Sequence, residues 1–546
     1  MYIKKVLLCC MLYCFIGKQH VYAQTVPVST TSGVYFYLDQ MALSYVFPWN
    51  DLIKPVSRTV IADAILAILQ QKEKLSASEY KEAQFYWKQF ASENKIGDTL
   101  TYLKKDPLGK WTSFYFKEDN NSIHADPVFG GGLAQYNGER VLEKNIGVSF
   151  WGTLQNKLDY FVSFNDISLD GAGVKNIPSF APINKYVNVG GANVVDQQNY
   201  NELRVMLAYR FKNGSISIGQ DRISYGRGEN AQLVLSQNAP VYPYLRTQYQ
   251  PFKWLQFNYM HAWLQSNILD SSATYSYGNT TYGGNHEQYQ PKYYAVHSIN
   301  FIPKPGIEFN IGESIVYTNQ LKPGYLIPIM YFKSYDNTSN NQNILAGDNG
   351  QMFAGFSIRR WIPKTQFYGQ IMIDEIRISK IFSSGNRNQL GYQLGIKKSG
   401  WLAKDNLVTG IEYTRNRPFV YANINPVLNY TNHAQLLGDW MGNNADRLIL
   451  YAQFKPIQRV YAKLSYEKIR KGGPGTVDDQ YLKSPQPPFL FDPMFNQKNI
   501  NFEIRYQWMH YIHLQLLANF ITVNNPNGDE AVKSSYIKTG IYMGLY

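Results

Sequence analysis

The chain of 546 residues carries a formal charge of +13 and is 15% aromatic, with 44 tyrosines, yet only 17% of its residues are charged and its mean hydropathy is negative. Its three cysteines, Cys9, Cys10 and Cys14, crowd the N-terminus, which excludes a disulfide framework or thiolate metal site elsewhere. The longest apolar helical run, Val60 to Leu69, is about half of the ~20 residues a spanning helix requires and contains Asp63, which excludes a helical membrane span.

Met1 to Lys5 carry two lysines, Val6 to Gly17 are largely apolar, and Val21-Tyr22-Ala23 supply small residues before a cleavage point at Gln24. Residues 1–23 therefore read as a secretory signal peptide. No lipoprotein box precedes any of the cysteines, so the exported chain is expected to carry neither cysteine nor lipid anchor. Cleavage removes Lys4, Lys5 and Lys18 and no acid, which lowers the formal charge from +13 to +10.

Residues 31–106 are predicted to form a small helical bundle. Tyr35 to Leu43 suggest one helix. Ser57 precedes a second, with Ile61, Ala64, Ile65, Ile68 and Leu69 on one face. Ser76 to Glu79 form a capping box opening a third, with Tyr80, Ala83, Trp87 and Phe90 aligned. The bundle reads as a folding cap, a plug or a handle for a periplasmic partner.

The remainder, 127–546, alternates with period two. In "IGVSFWGTLQ", Ile146, Val148, Phe150 and Leu154 share one face. In "ELRVMLAYRF", Leu203, Val205, Leu207, Tyr209 and Phe211 oppose Glu202, Arg204, Met206, Ala208 and Arg210. In "LQFNYMHAW", Leu255, Phe257, Tyr259 and Trp263 oppose Gln256, Asn258 and Met260. Such segments predict about 18 antiparallel strands, and a membrane protein without a spanning helix must close them into a barrel. A soluble all-β sandwich or propeller is the rival, since it alternates too. Lys538, Gly540, Met543 and Leu545, followed by Tyr546, fit the terminal-strand pattern read by the barrel assembly machinery, which makes that machinery an expected partner.

Catalytic signatures are weak. Asp374 and Glu375 are strand neighbours and point to opposite faces unless a bulge intervenes, so ion-pair roles inside the barrel are expected of them. "GRGENA" lacks the helix and parallel unit of a dinucleotide site, "HEQYQ" lacks a second histidine, and the eight histidines are scattered. No enzyme activity, cofactor, metal or nucleic-acid partner is expected.

The chain then reads "IGQDRISYGRGENAQLVLSQNAPVYPYL" over 218–245, "IGESIVY" over 311–317, "QFYGQIMIDEI" over 366–376 and "IEYTRNRPFVYANINPVLNYTNH" over 411–433. In order and spacing these resemble the Wzi-type capsule assembly family, especially its members from the Bacteroidetes; Tyr225 stands where the family usually has Trp. The resemblance implies an 18-stranded outer-membrane barrel, closed at its periplasmic end by helices, acting as a lectin that holds capsular or exopolysaccharide at the cell surface. A solute-specific porin is the alternative.

The positive charge suits an acidic polysaccharide or the phosphates of lipopolysaccharide, alongside outer-membrane lipid. Asp221, Arg222, Tyr225 and Arg227 are the expected polysaccharide site, because a strand end and turn would bring two guanidinium forks and an aromatic face to one rim. The competing reading pairs Asp221 with Arg222 or Arg204 to hold the barrel's shape. Loops 270–291 and 333–350, rich in Tyr, Asn and Gly, are the next candidates.

Overall fold

The computed structural model describes residues 25–544 apart from 91–97, 178–186, 189–195, 277, 279–283, 340–346, 376–387, 401–405, 484, 527 and 529. The signal segment 1–23, Leu545 and Tyr546 lie outside the described residues.

Eighteen long strands form one closed antiparallel barrel. In chain order they are β1 (Asn121–Tyr136), β2 (Glu139–Leu154), β3 (Leu158–Asp170), β4 (Gln197–Phe211), β5 (Gly214–Asp221), β6 (Tyr242–Phe252), β7 (Leu255–Leu269), β8 (Tyr289–Lys304) and β9 (Ile307–Thr318). The second half comprises β10 (Asn349–Arg359), β11 (Thr365–Glu375), β12 (Gln389–Ser399), β13 (Leu407–Asn416), β14 (Ala445–Phe454), β15 (Val460–Gly472), β16 (Pro493–Gln507), β17 (Ile512–Asn524) and β18 (Val532–Met543). Closure runs from Tyr536 opposite Tyr136 to Met543 opposite Phe129. Strand β1 begins at Asn121, but only its second half, Phe129 to Tyr136, meets β18. The first half of β1 pairs instead with a hairpin, Thr99–Lys105 and Trp111–Glu118, whose first strand lies within the 31–106 expected to be helical.

The expected alternation positions the walls. Ile146, Phe150, Leu203, Leu207 and Tyr209 are exposed on the outside, whereas Trp151, Met206 and Ala208 are buried within. Tyr259 departs from expectation. It is buried although it points outward, because the segment after β9 folds back over the outer wall, where Tyr325 and Phe332 cover it and the Tyr259 hydroxyl donates to the Tyr325 carbonyl at 2.7 Å.

The two barrel ends differ. Strands are joined by tight turns at one end, such as 155–157, 212–213, 253–254 and 305–306, and mostly by long connections at the other, such as 222–241, 319–348, 417–444 and 473–492. Helices α1 (Gly33–Ser44), α2 (Arg58–Leu69) and α3 (Ala77–Phe90) pack around Val34, Leu38, Ile61, Ile65, Ile68 and Tyr86. The predicted caps are in place: the Ser57 side chain accepts from the Val60 amide, and Ser76 and Glu79 bond reciprocally.

This helical unit closes the tight-turn end. Glu82 accepts from Lys455 Nζ and from the Tyr461 hydroxyl, both at 2.7 Å, and Arg360 donates to the Ala42 carbonyl at 2.5 Å. Across the mouth, the Thr25 amide donates to Asp159 at 2.8 Å and His510 contacts the Phe85 carbonyl at 3.1 Å. These contacts turn α3 so that Glu82 and Tyr86 are buried, while Tyr80 and Trp87 of the expected apolar face are only partly covered.

Candidate functional site

Two of the long connections do not rise outward; they fold into the lumen. The first, residues 222–241, runs from β5 to β6 and crosses the barrel. At one wall Arg222 Nε donates to the Ala239 carbonyl at 3.1 Å and the guanidinium pairs with Glu202 on β4. At the opposite wall the Glu229 amide donates to Glu412 on β13 at 2.9 Å, its carboxylate pairs with Lys463 on β15 at 2.8 Å, and Asn230 bonds Glu467. Burial raises the Glu229 carboxyl, but the surrounding lysines, Lys463 foremost and then Lys397 and Lys54, together hold it below the ordinary value.

The second inward connection, residues 417–444, packs on the first. Tyr421 and Tyr430 donate to the carbonyls of Leu233 and Val234 at 2.7 and 2.8 Å, and the Ser236 amide donates to Leu437 at 2.7 Å. Leu233, Val234, Leu235, Tyr421, Tyr430 and Leu437 are fully buried. They share one apolar core with inward residues of the wall, Met260, Val296, Phe353 and Met372, so the two loops form one internal plug seated on an apolar patch of the lumen.

A third element reaches the plug from the helical unit. Ile53 and Lys54 pair antiparallel with Tyr225 and Ser224, and the Gly226 amide donates to the Leu52 carbonyl at 2.9 Å. Gly226 has φ +137, where a side chain would be strained, and a Cβ there would meet Gln370 and Gln232. Beside this ladder Arg227 Nε lies 3.1 Å from Asp51 Oδ1, Arg359 Nη2 lies 2.9 Å from the same oxygen, and Arg227 also pairs with Glu308 on β9. Burial raises the Asp51 carboxyl, yet Arg227 and Arg359 together hold it well below the usual carboxylate range. Arg227 is correspondingly held above its ordinary value by Glu308 and Asp51 against the effect of burial.

The expected site residues therefore lie inside the barrel, not at a rim. Asp221 receives Arg204 in a two-pronged pair at 2.7 and 2.8 Å and the Arg222 amide at 2.7 Å. Tyr225 is buried, its hydroxyl donating to Asn300 at 3.3 Å and its ring 5.0 Å from Phe353. Arg222 and Arg227 are not brought together: each serves its own acids, Glu202 for one and Asp51 with Glu308 for the other. Sequence reading missed these partners, whose only signal is an acid at an inward strand position in Glu202 and Glu308 and none in Asp51. Asp374, expected in an ion pair, accepts hydrogen bonds instead, from Gln351 at 3.1 Å and the Tyr421 amide at 2.8 Å, at a break in the strand register between Ile373 and Glu375.

Of the outward loops, 270–288 ends in a short ladder where Tyr275, half exposed, lies 4.8 Å from the His286 ring. The 473–492 loop carries a capped turn of helix, Val477–Tyr481, and seats Phe489 3.6 Å from the Arg415 guanidinium.

An apolar outer wall, complete strand closure and tight turns at one end define an outer-membrane β-barrel, here with its lumen filled by its own loops. The chain belongs to the capsule assembly protein Wzi family, whose sequence profile matches residues 136–535. The fold is similar to that of Escherichia coli Wzi, described as an outer membrane protein involved in group 1 capsule assembly and a carbohydrate-binding β-barrel, with 13% identity, a TM-score of 0.57, and 95% of this chain and 99% of that one covered. Pseudomonas aeruginosa OprD (8% identity, TM-score 0.43, 78% and 96% covered) and Acinetobacter baumannii OccAB4 (8%, 0.44, 78% and 98%) are weaker likenesses. No curated protein sequence matches the chain.

Proposed function

We propose that the protein is a non-catalytic lectin of the outer membrane that holds capsular or exopolysaccharide at the cell surface, with the long-loop end outward and the helical unit in the periplasm. The observation that carries this reading is the plug spanning the lumen from Glu202 to Glu412 and Lys463, tied from below through Asp51. A barrel filled in this way is suited to present a surface rather than to conduct, which weighs against the porin alternative. Family membership agrees with a role in capsule assembly.

In this reading the polymer meets the outward loops, where Tyr275, His286 and Arg415 with Phe489 offer flat rings beside cations and amides, a combination suited to an acidic sugar. Asp221, Arg222, Tyr225 and Arg227 act as positioning residues that hold the plug on which those loops rest. The test is retention of native surface polysaccharide by cells, together with glycan binding by purified protein. Replacing Tyr275 and His286 with Ala should shed polymer into the medium at unchanged levels of membrane-inserted protein. Purified protein that binds no native polysaccharide would overturn the lectin reading.

A further inference from the structure

The outer wall of β13–β18 carries a second feature, away from the plug and the outward loops. Antiparallel register puts Leu448, Lys468, Lys498, Thr522 and Lys533 in one lateral row across β14 to β18, near the long-loop ends of these strands. Lys468 stands directly opposite Lys498, and Lys533 lies two strands further on. All three lysines are exposed and share the outward face, because the next same-face row toward the tight-turn end is Leu450, Tyr466, Ile500 and Phe520, the start of the apolar belt.

Like charges directly opposite on neighbouring strands repel and destabilise the pairing. Two other cations on the outer face near these strands are neutralised: Arg470, one row further out, pairs with Asp446, and Lys144 on β2, two strands beyond β18, lies 3.5 Å from Asp170. Lys468, Lys498 and Lys533 have no ion-pair partner among the described residues. The row beyond them, Asn496 and Asn524 beside Arg470, offers amide donors. Tyr466 below supplies an aromatic ring at the edge of the apolar belt, where such rings meet headgroups.

A row of ammonium groups one step above lipid-facing aliphatics has the chemistry of a receptor for anionic headgroups. Given the orientation of the proposed function, on which this inference rests, the headgroups at that depth are those of the outer leaflet. We propose that Lys468, Lys498 and Lys533 bind the phosphate groups of the outer-leaflet glycolipid, the lipid A end of lipopolysaccharide, with Asn496, Asn524 and Arg470 bonding its sugar and phosphate oxygens.

The experiment compares the full-length wild-type protein with a Lys468→Gln, Lys498→Gln, Lys533→Gln variant, both purified in mild detergent. Co-purifying lipid is read by native mass spectrometry, and titrations use bisphosphorylated lipid A, dephosphorylated lipid A and inorganic phosphate. The wild type should retain the phosphorylated lipid, and the variant should bind it roughly tenfold or more weakly, as loss of several charge-assisted contacts requires. Dephosphorylated lipid A should bind both proteins equally weakly, and inorganic phosphate should compete poorly because it lacks the acyl chains.

Equal retention of phosphorylated lipid by both proteins would overturn the proposal. So would equal binding of both lipids by the wild type, or full displacement by phosphate alone. A Lys144→Gln, Asp170→Asn variant, which breaks an ion pair of β2 and β3 outside the lysine row, should bind like the wild type, and heat-modifiable migration checks that each variant is folded. Polysaccharide binding is measured on the same samples: loss of lipid with polymer binding intact supports this site, while loss of polymer binding by the wild type itself strikes the lectin reading and not this one.

Discussion

Asp51 lies between two guanidinium groups, those of Arg227 and Arg359, and that placement sets a pH dependence. Its folded pKa is depressed, so its contribution to holding the plug is complete above the unfolded carboxylate value of ~3.9 and is lost as pH falls through the lower folded value. Conductance of the purified protein in planar bilayers should stay low from neutral pH to about pH 4 and rise only below it; a rise already near pH 6 would assign the tie to another group. Arg227→Met leaves Glu308 and Asp51 buried without their shared cation. Removing one member of a buried ionic network costs about 3–5 kcal/mol, so the plug should unfold at lower temperature by near-ultraviolet circular dichroism. The barrel itself should remain heat-modifiable. At this scale the sequence shows Asp221, Arg222 and Arg227 as one charged stretch but hides their acids, because Asp51, Glu202 and Glu308 reach it only through folding.

Strand β18 shows why its glycine is needed. The Tyr542 ring points inward and lies flat across the seam: a Cβ at Gly130 would come within 2.5 Å of it, and one at Gly540 within 2.7 Å of its hydroxyl. That hydroxyl donates to Glu143 at 3.0 Å, and Lys538 lies 2.5 Å from the same carboxylate, so one acid on β2 bonds two residues of β18 beside the closing seam. Gly130→Ala should lower barrel stability by about 1–3 kcal/mol through overpacking. Combining it with Tyr542→Ala should recover part of the loss, which a double-mutant cycle of urea unfolding in lipid vesicles reads directly. Additive effects would show that the ring and the glycine do not share the space. Helices α2 and α3 were legible from capping residues and spacing, as were the outward faces of β2 and β4. The buried face of α3 was not, since Glu82 and Tyr86 turn inward to meet Lys455, in the turn after β14, and Tyr461 on β15, far along the chain.

The whole molecule is a barrel stopped twice, by helices at the tight-turn end and by its own loops midway. Each of the eighteen barrel strands is paired on both sides, so the folded protein should resist detergent until boiled and change its gel mobility on heating. Deleting residues 25–106 should open the barrel only partially in bilayers, because loops 222–241 and 417–444 still hold each other through Tyr421, Tyr430 and Ser236. Further shortening of 222–241 should give large, steady currents. Large currents from the intact protein would instead favour a channel.

Alternating apolar and polar residues, aromatic load and turn spacing determined by themselves that this chain makes an 18-stranded barrel preceded by helices, since strand period and membrane burial act locally along each segment. The tertiary structure alone decided where the "GQDRISYGRG" stretch goes. Nothing local distinguishes a loop that rises from one that folds inward: the difference lies in whether Glu202, Glu308, Glu412 and Lys463 on distant strands face the lumen at the right height to receive it. Closure of the barrel brings those groups together, and with them the reason these arginines are buried.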